Sequence, residues 1–202
     1  RINYPLFGIN DNLFKTYPDR PNLITKREIR IQILADLELP EKGVLWDIGA
    51  GCGTIGLEAL RLRPKLNLFS IDKRLGTTNL IKKNAKKLKV FPKSIIEKDI
   101  NIILKEELNI SFPLPNRVVI GGCNKETKLF IIKKISKNFR YGDIFVIPLA
   151  TYESLDEIKK LFTELNFEAQ ISLIQTYKSI TISEGNRFEP NNPVFIVKAK
   201  KK

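Results

Sequence analysis

Four closely spaced glycines follow a short apolar segment of the chain. They occupy positions 49, 51, 53 and 56, and the segment 44–48 before them contains Asp47. Glycine permits positive φ and lets a ligand approach the backbone without meeting a Cβ atom. A loop between a parallel strand and the next helix lies at the carboxyl edge of the sheet, where open α/β sheets bind ligands. The pattern therefore predicts a binding loop, with an ordinary tight turn as the alternative.

Two kinds of cofactor fit this loop. Gly51, Gly53 and Gly56 satisfy G-x-G-x-x-G, which on its own is a weak fingerprint for dinucleotide binding. The Asp47 carboxylate argues against a dinucleotide, because it would stand beside two phosphates and repel them. It suits a cationic ligand instead, such as the ammonium and sulfonium groups of S-adenosylmethionine. A nicotinamide cofactor stays as the alternative.

Two further acids end the next predicted strands. Asp72 closes the second strand and Asp99 closes the third. A carboxylate at the first position can accept two hydrogen bonds from ribose hydroxyls, and Asp99 could face the adenine amino group. One acid after each of three successive strands is a more selective signal than the glycines. We therefore predict S-adenosylmethionine as the cofactor.

The elements that must position these residues alternate along the chain. Apolar runs predict strands at 44–48, 66–72, 93–99, 116–122, 142–149, 167–177 and 192–200. Apolar residues at helical spacing predict helices at 54–62, 80–88, 102–108, 129–135 and 152–165. An earlier helix should begin at Thr25, which has Glu28 three residues later, the spacing of a capping box. The last two strands have no helix between them, and a long loop over 178–192 should join them.

This order predicts an α/β protein of Rossmann-like architecture. Alternating strands and helices favour a mostly parallel sheet covered on both faces. We expect a seven-stranded sheet that ends in a C-terminal antiparallel hairpin. A single domain should span residues 1–202, with the irregular, proline-punctuated segment 1–25 covering the active site.

Composition narrows the classes of function. The net charge of +13 favours a polyanionic partner, either nucleic acid or a small polycarboxylate, although lysines scattered over solvated faces would give the same total. Histidine is absent, which excludes an imidazole base and histidine metal ligands, and we predict no metal site. No apolar run is long enough to span a membrane, and two cysteines are too few for a disulfide scaffold. The expected location is cytoplasmic.

Several stretches resemble one enzyme family. LWDIGAGCGTIGLEALR resembles the first motif of class I methyltransferases. FGINDNLF (7–14), ITKREIR (24–30), VVIGG (118–122) and NPVFIV (192–197) resemble, in the same order, motifs of the precorrin methyltransferases of cobalamin biosynthesis. Those enzymes methylate carbon 15 of the macrocycle and decarboxylate the acetate on carbon 12. The resemblance covers nearly the whole chain.

The resemblance implies a set of functional residues. The cofactor-binding residues would be Thr25, Asp47, Gly49, Ala50, Gly51, Gly53, Thr54, Asp72, Lys73, Asp99 and Gly121. A precorrin carries many carboxylates, so cations should bind it, and Lys26, Arg30 and Arg187 are the predicted contacts. The electron-rich ring supplies the nucleophile, so we name no catalytic residue, and whether a catalytic base exists stays open. The family also implies a homotetramer and an association with the methyltransferase that acts on carbon 5.

Two other functions compete with this interpretation. An RNA or protein methyltransferase would use the basic surface, with clustered Lys and Arg among aromatic side chains. Modification of an amino nitrogen usually brings an Asn/Asp-Pro-Pro-aromatic stretch after the fourth strand, where this chain has Gly121 and Gly122. Nucleic acid is therefore not the expected partner. A non-catalytic, cofactor-binding subunit is the second alternative.

Overall fold

The computed structural model describes residues 4–105 and 112–202. Its helices are α1 (Arg27–Asp36), α2 (Thr54–Leu62), α3 (Thr77–Leu88), α4 (Ile100–Lys105), α5 (Lys125–Ile135) and α6 (Leu155–Glu164). Its strands are β1 (Gly43–Ile48), β2 (Leu66–Asp72), β3 (Ser94–Glu97), β4 (Arg117–Ile120), β5 (Ile144–Leu149), β6 (Phe167–Ile174), β7 (Tyr177–Ile182), β8 (Gly185–Pro190) and β9 (Val194–Lys201). The predicted helix over 102–108 lies partly outside the described residues.

Seven of the described strands form one sheet in the order β3-β2-β1-β4-β5-β9-β6. β1 to β5 run parallel, while β9 is antiparallel to both β5 and β6. This confirms the predicted mostly parallel sheet and its C-terminal antiparallel hairpin. The strand order reverses between β1 and β4, and such a switch point is where open α/β sheets bind ligands.

Helices cover both faces of the sheet, because the parallel strands are apolar on both sides. Leu45 of β1 packs into a buried cluster with residues of α1, α2 and α3. The next residue, Trp46, points the other way into a cluster with residues of α4, α5 and α6. Within residues 4–105 and 112–202, no helix has the length and apolarity needed to cross a lipid bilayer.

Helix α1 does not begin with the predicted capping box. Lys26 is its N-cap residue and makes no side-chain cap bond, so the predicted cap at Thr25 is wrong. The Thr25 carbonyl instead accepts a hydrogen bond from the guanidinium of Arg30. The capping-box spacing was misleading because Arg30, five residues further along, holds this turn, and Arg30 is itself fixed by the distant Glu58.

A buried ion-pair network attaches the opening segment to the body of the protein. Arg30 and Glu58 are both fully buried, and Arg30 Nε donates to Glu58 Oε1 over 2.9 Å. Arg30 Nη1 also donates to Asp11 Oδ1 over 2.6 Å. The other Glu58 oxygen accepts from the backbone N–H of Gly8. These bonds fix residues 8–11 against α1 and α2.

The predicted long loop over 178–192 is largely a second small sheet. β7 and β8 pair antiparallel, with Tyr177 opposite Pro190 and Ile182 opposite Gly185. Gly185 has φ 137°, which L side chains rarely adopt, so it suits the reversal between the strands. The consecutive β-branched residues Ile180, Thr181 and Ile182 were the signal for a strand.

Candidate functional site

The glycine loop is held close to two neighbouring strand ends. Gly49, Gly51 and Gly53 have φ of 71°, 56° and 81°, the left-handed region that glycine tolerates. The Gly49 N–H donates to the Ile71 carbonyl over 2.8 Å. A Cβ atom at Gly49 would overlap the carbonyl of Gly121, whereas one at Gly51 would meet no atom within 4 Å. Gly49 therefore allows close backbone packing, and Gly51 opens onto free space.

Asp72 connects the loop to the end of β2. Its Oδ2 accepts from the Gly51 N–H over 2.8 Å, and its Oδ1 accepts from the Arg74 N–H over 2.9 Å. A carboxylate offers about four lone-pair positions, so each oxygen retains acceptor capacity. The carboxylate lines the cleft beside the loop. Its remaining lone pairs can accept hydroxyl donors from a ligand there.

Asp99 lies across the same cleft, just before α4. Its Oδ1 accepts from the Asn101 N–H over 2.8 Å, and Lys73 Nζ lies 3.5 Å from its Oδ2. The hydrogen bond from Asn101 is the main cause that lowers the pKa of Asp99, and the charge of Lys73 adds to it. Asp99 is therefore an ionised acceptor at neutral pH.

Asp47 does not reach the cleft. Its side chain is 1% exposed, and its Oδ2 accepts from the Gly56 N–H in α2 over 3.1 Å. Burial raises the pKa of Asp47 to about 7, against the opposing effect of the Gly56 hydrogen bond. This burial contradicts the prediction that the Asp47 carboxylate contacts a cationic ligand. It anchors the first turn of α2 under the glycine loop.

The cleft between the glycine loop, the ends of β2 and β4 and the start of α4 encloses about 500 Å³. We call it the cofactor cleft. Its lining includes the predicted residues Gly49, Gly51, Asp72, Lys73 and Asp99. Six other predicted residues are not among those that line it: Thr25, Asp47, Ala50, Gly53, Thr54 and Gly121. Ala50, Gly53 and Thr54 shape the loop and the start of α2, and Gly121 donates its N–H to the Ile48 carbonyl over 2.8 Å.

Sequence reasoning expected the segment 1–25 over the active site but singled out none of its residues that line the cofactor cleft. Tyr17, Arg20 and Leu23 of the opening segment line it. The Tyr17 hydroxyl donates to the Gly51 carbonyl over 3.2 Å and is bonded to the Thr77 hydroxyl. Tyr17 lies in a stretch rich in prolines and charges, where an isolated aromatic residue carries no periodic signal.

A second cavity adjoins the cofactor cleft at the carboxyl ends of β4 and β5. It encloses about 470 Å³, and we call it the side cavity. The two spaces share the lining residues Gly122, Cys123 and Asn124. Lys125 and Lys128 of α5 also line it, together with Glu153. A ligand in the side cavity would therefore lie directly beside one in the cofactor cleft.

The three predicted substrate contacts lie elsewhere. Arg30 is fully buried in its network with Glu58 and Asp11, which favours a positioning role over contact with a substrate. Lys26 is the half-buried N-cap residue of α1 and lines neither the cofactor cleft nor the side cavity. Arg187 lies on β8 with its side chain 62% exposed and Nη2 3.7 Å from Glu189 Oε1. The structure does not bring the three together.

Comparisons with known proteins agree with this geometry. The profile of the family described as "Precorrin methyltransferase domain" matches residues 18–201. A protein of Saccharolobus solfataricus named "Probable cobalt-precorrin-6B C(15)-methyltransferase (decarboxylating)" is 28% identical over 98% of each chain. A relative of the same name from Pyrobaculum aerophilum is 28% identical over 97% of each chain.

Solved structures give the same result. A precorrin-6y C5,15-methyltransferase from Geobacter metallireducens has a TM-score of 0.84 at 28% identity, covering 99% of this chain and 100% of its own. The C-terminal domain of precorrin-6Y C5,15-methyltransferase from Rhodobacter capsulatus has a TM-score of 0.79 at 20% identity, covering 98% and 100%. The second similarity concerns the fold alone.

Proposed function

The chain belongs to the precorrin methyltransferase domain family, and from this premise we propose that it uses S-adenosylmethionine to methylate carbon 15 of a precorrin and removes the acetate carboxylate on carbon 12. The names of its relatives support this reaction. The observation that carries the proposal is the pair of adjoining spaces that share the wall 122–124, with Asp72 and Asp99 lining one and Lys128 lining the other.

The residues of the cofactor cleft fit S-adenosylmethionine. Asp72 keeps free acceptor positions for ribose hydroxyls, and Asp99 is an ionised acceptor suited to an adenine amino group. A side chain at Gly51 would fill the open space beside Asp72. These residues would hold the cofactor, which when bound supplies an electrophilic methyl group.

In this reaction the protein would position the substrate against the cofactor and exclude water. Tyr17 closes one side of the cofactor cleft through its bond to the Gly51 carbonyl, so the glycine loop and the opening segment are held as one unit. A methyl acceptor must lie in line with the methyl group at about 3 Å. The shared wall 122–124 is where a macrocycle in the side cavity would approach the cofactor cleft.

The proposed reaction needs no protein nucleophile. A ring carbon of the substrate would form the new bond to the methyl group that S-adenosylmethionine supplies, and that carbon would release its proton to water. Loss of carbon dioxide leaves an electron pair that the conjugated macrocycle accepts, and a proton from water completes the new methyl group on carbon 12. Burial raises the pKa of both Cys52, to about 11, and Cys123, so neither thiol is a nucleophile at neutral pH.

The test is anaerobic incubation of the purified chain with cobalt-precorrin-6B and methyl-labelled S-adenosylmethionine, followed by mass spectrometry. The expected product has gained one labelled methyl group and lost one carbon dioxide. A product that carries the label but keeps every carboxylate would restrict the function to methylation. An unchanged substrate, with a protein that binds the cofactor, would refute the proposal.

A further inference from the structure

The side cavity contains a buried lysine that the predicted substrate contacts do not include. Lys128 lies in the first turn of α5, is 8% exposed and lines the cavity. Its ammonium donates one hydrogen bond, to the Cys123 carbonyl. An ammonium has three N–H donors. A single neutral acceptor therefore leaves donors of this cation available to a ligand.

Lys128 has no carboxylate partner among the described residues. Burial lowers the pKa of Lys128, and the opposing effect comes from the Cys123 side chain rather than from an acid. Moving a cation out of water costs several kcal/mol unless an anion pairs with it. The chain therefore buries a positive charge without supplying the negative charge that would stabilise it.

The acids near the side cavity have other partners. Glu157 pairs with Lys125 at 2.6 Å on the exposed rim. Glu153 lines the side cavity but is solvent-exposed, and a hydrogen bond from the Thr151 hydroxyl, which lines the same cavity, is the main cause that lowers its pKa. The N-terminal end of α5 adds positive partial charge to the same wall. A carboxylate that pairs with Lys128 would therefore come from outside the described part of the chain.

We infer that Lys128 binds a carboxylate of the tetrapyrrole substrate in the side cavity. This inference rests on the proposed function and adds a residue to it. The bound carboxylate would be one that the product keeps, because an ion pair stabilises a carboxylate and opposes the loss of its carbon dioxide. Held there, one edge of the macrocycle lies against the wall 122–124 and beside the cofactor cleft.

The experiment measures binding of uroporphyrin I, a tetrapyrrole with eight carboxylates, by its fluorescence in the presence of S-adenosylmethionine. Lys128→Met keeps the apolar stem and removes the charge. Affinity for the porphyrin should fall about tenfold or more, as expected for the loss of a charge-assisted hydrogen bond. Lys128→Arg should recover part of that loss. Cofactor affinity by calorimetry should stay within about twofold for both variants, since Asp72 and Asp99 are untouched.

Lys133→Met is the matched control, because Lys133 lies on the same helix and faces solvent. It should bind the porphyrin as the wild type does. Equal porphyrin affinity for wild type and Lys128→Met, or no binding by the wild type, would overturn the inference. Lysine-dependent binding without turnover of a precorrin would instead refute the proposed reaction and leave the carboxylate site standing.

Discussion

Two buried cations of this protein occupy opposite surroundings. Around Arg30, the opening segment and α2 supply two carboxylates and backbone carbonyls, so the guanidinium is paired inside the chain. Around Lys128, the loop after β4 supplies one carbonyl. A buried charge that is paired within the fold holds elements together. A buried charge that is not paired within the fold is available to bind a ligand of opposite charge.

The largest expected effect tests the paired cation. Arg30→Met leaves Glu58 buried without its partner, which should cost about 3–5 kcal/mol of unfolding free energy. Urea titration at neutral pH measures this loss, and Glu58→Gln serves if the first variant does not fold. Arg140→Met, at an exposed site, should change stability by less than about 0.5 kcal/mol. If Arg30→Met lost no more stability than Arg140→Met, the distinction between Arg30 and Lys128 would not hold.

Asp47 extends the comparison of buried charges, because it is a buried acid with no cation partner among the described residues. The folded pKa of Asp47 is about 7, well above the value of about 3.9 in an unfolded chain. The folded state therefore binds more protons between these values, and the stability that this group contributes falls as pH rises from about 4 to about 7. Asp47→Asn keeps an acceptor for Gly56 and cannot ionise.

Urea titrations of wild type and Asp47→Asn at several pH values test this expectation. The stability of the wild type relative to the variant should decline through that window, by up to about 1.4 kcal/mol per pH unit. Other titrating groups cancel in the difference between the two proteins. A difference that is independent of pH would show that the Asp47 carboxylate ionises in the fold as it does in water.

Asp72 in the cofactor cleft is the proposed acceptor for two ribose hydroxyls. Asp72→Ala would remove that acceptor, with each charge-assisted bond contributing about 1.5–3 kcal/mol. Calorimetry should show S-adenosylmethionine binding weakened at least tenfold. The control is Asp156→Ala, an exposed acid at the start of α6, for which affinity should not change. Unaltered affinity in folded Asp72→Ala would exclude the ribose role.

The smallest effect is expected on β8. Arg187 is exposed and its contact with Glu189 is a surface pair, which contributes little to stability. Arg187→Ala should leave the apparent KM for the precorrin within about twofold of the wild-type value, measured by product mass spectrometry. A severalfold rise in the apparent KM would indicate that Arg187 contacts the substrate, and it would weaken the assignment of Lys128.

Local patterns were enough to predict the sheet and one side of the site. Apolar runs predicted β2 and α2 with the observed ends, because a buried parallel strand and the following helix have strong periodic signals. Asp72 and Asp99 were singled out because each stands at the end of a predicted strand, and both line the cofactor cleft because the carboxyl ends of parallel strands meet at one edge.

Long-range contacts explain what could not be predicted. Glu58, which pairs with Arg30, is remote in sequence, so nothing local showed that this arginine is buried. Lys128 resembled the other lysines of a basic chain, because its burial and its bond to the Cys123 carbonyl arise only in the fold. Asp47 lies near the end of an apolar strand, much as Asp72 does. The chain that follows Asp47 turns over its side chain, so the carboxylate is buried and does not reach the cofactor cleft.

The most direct test of the account is competition between the two kinds of polyanion that the charge of +13 would attract. The purified chain receives methyl-labelled S-adenosylmethionine together with cobalt-precorrin-6B and unfractionated RNA under anaerobic conditions, and the label in each fraction is counted. The account predicts label in the tetrapyrrole fraction and none above background in RNA. Label in RNA with an unmodified precorrin would contradict it.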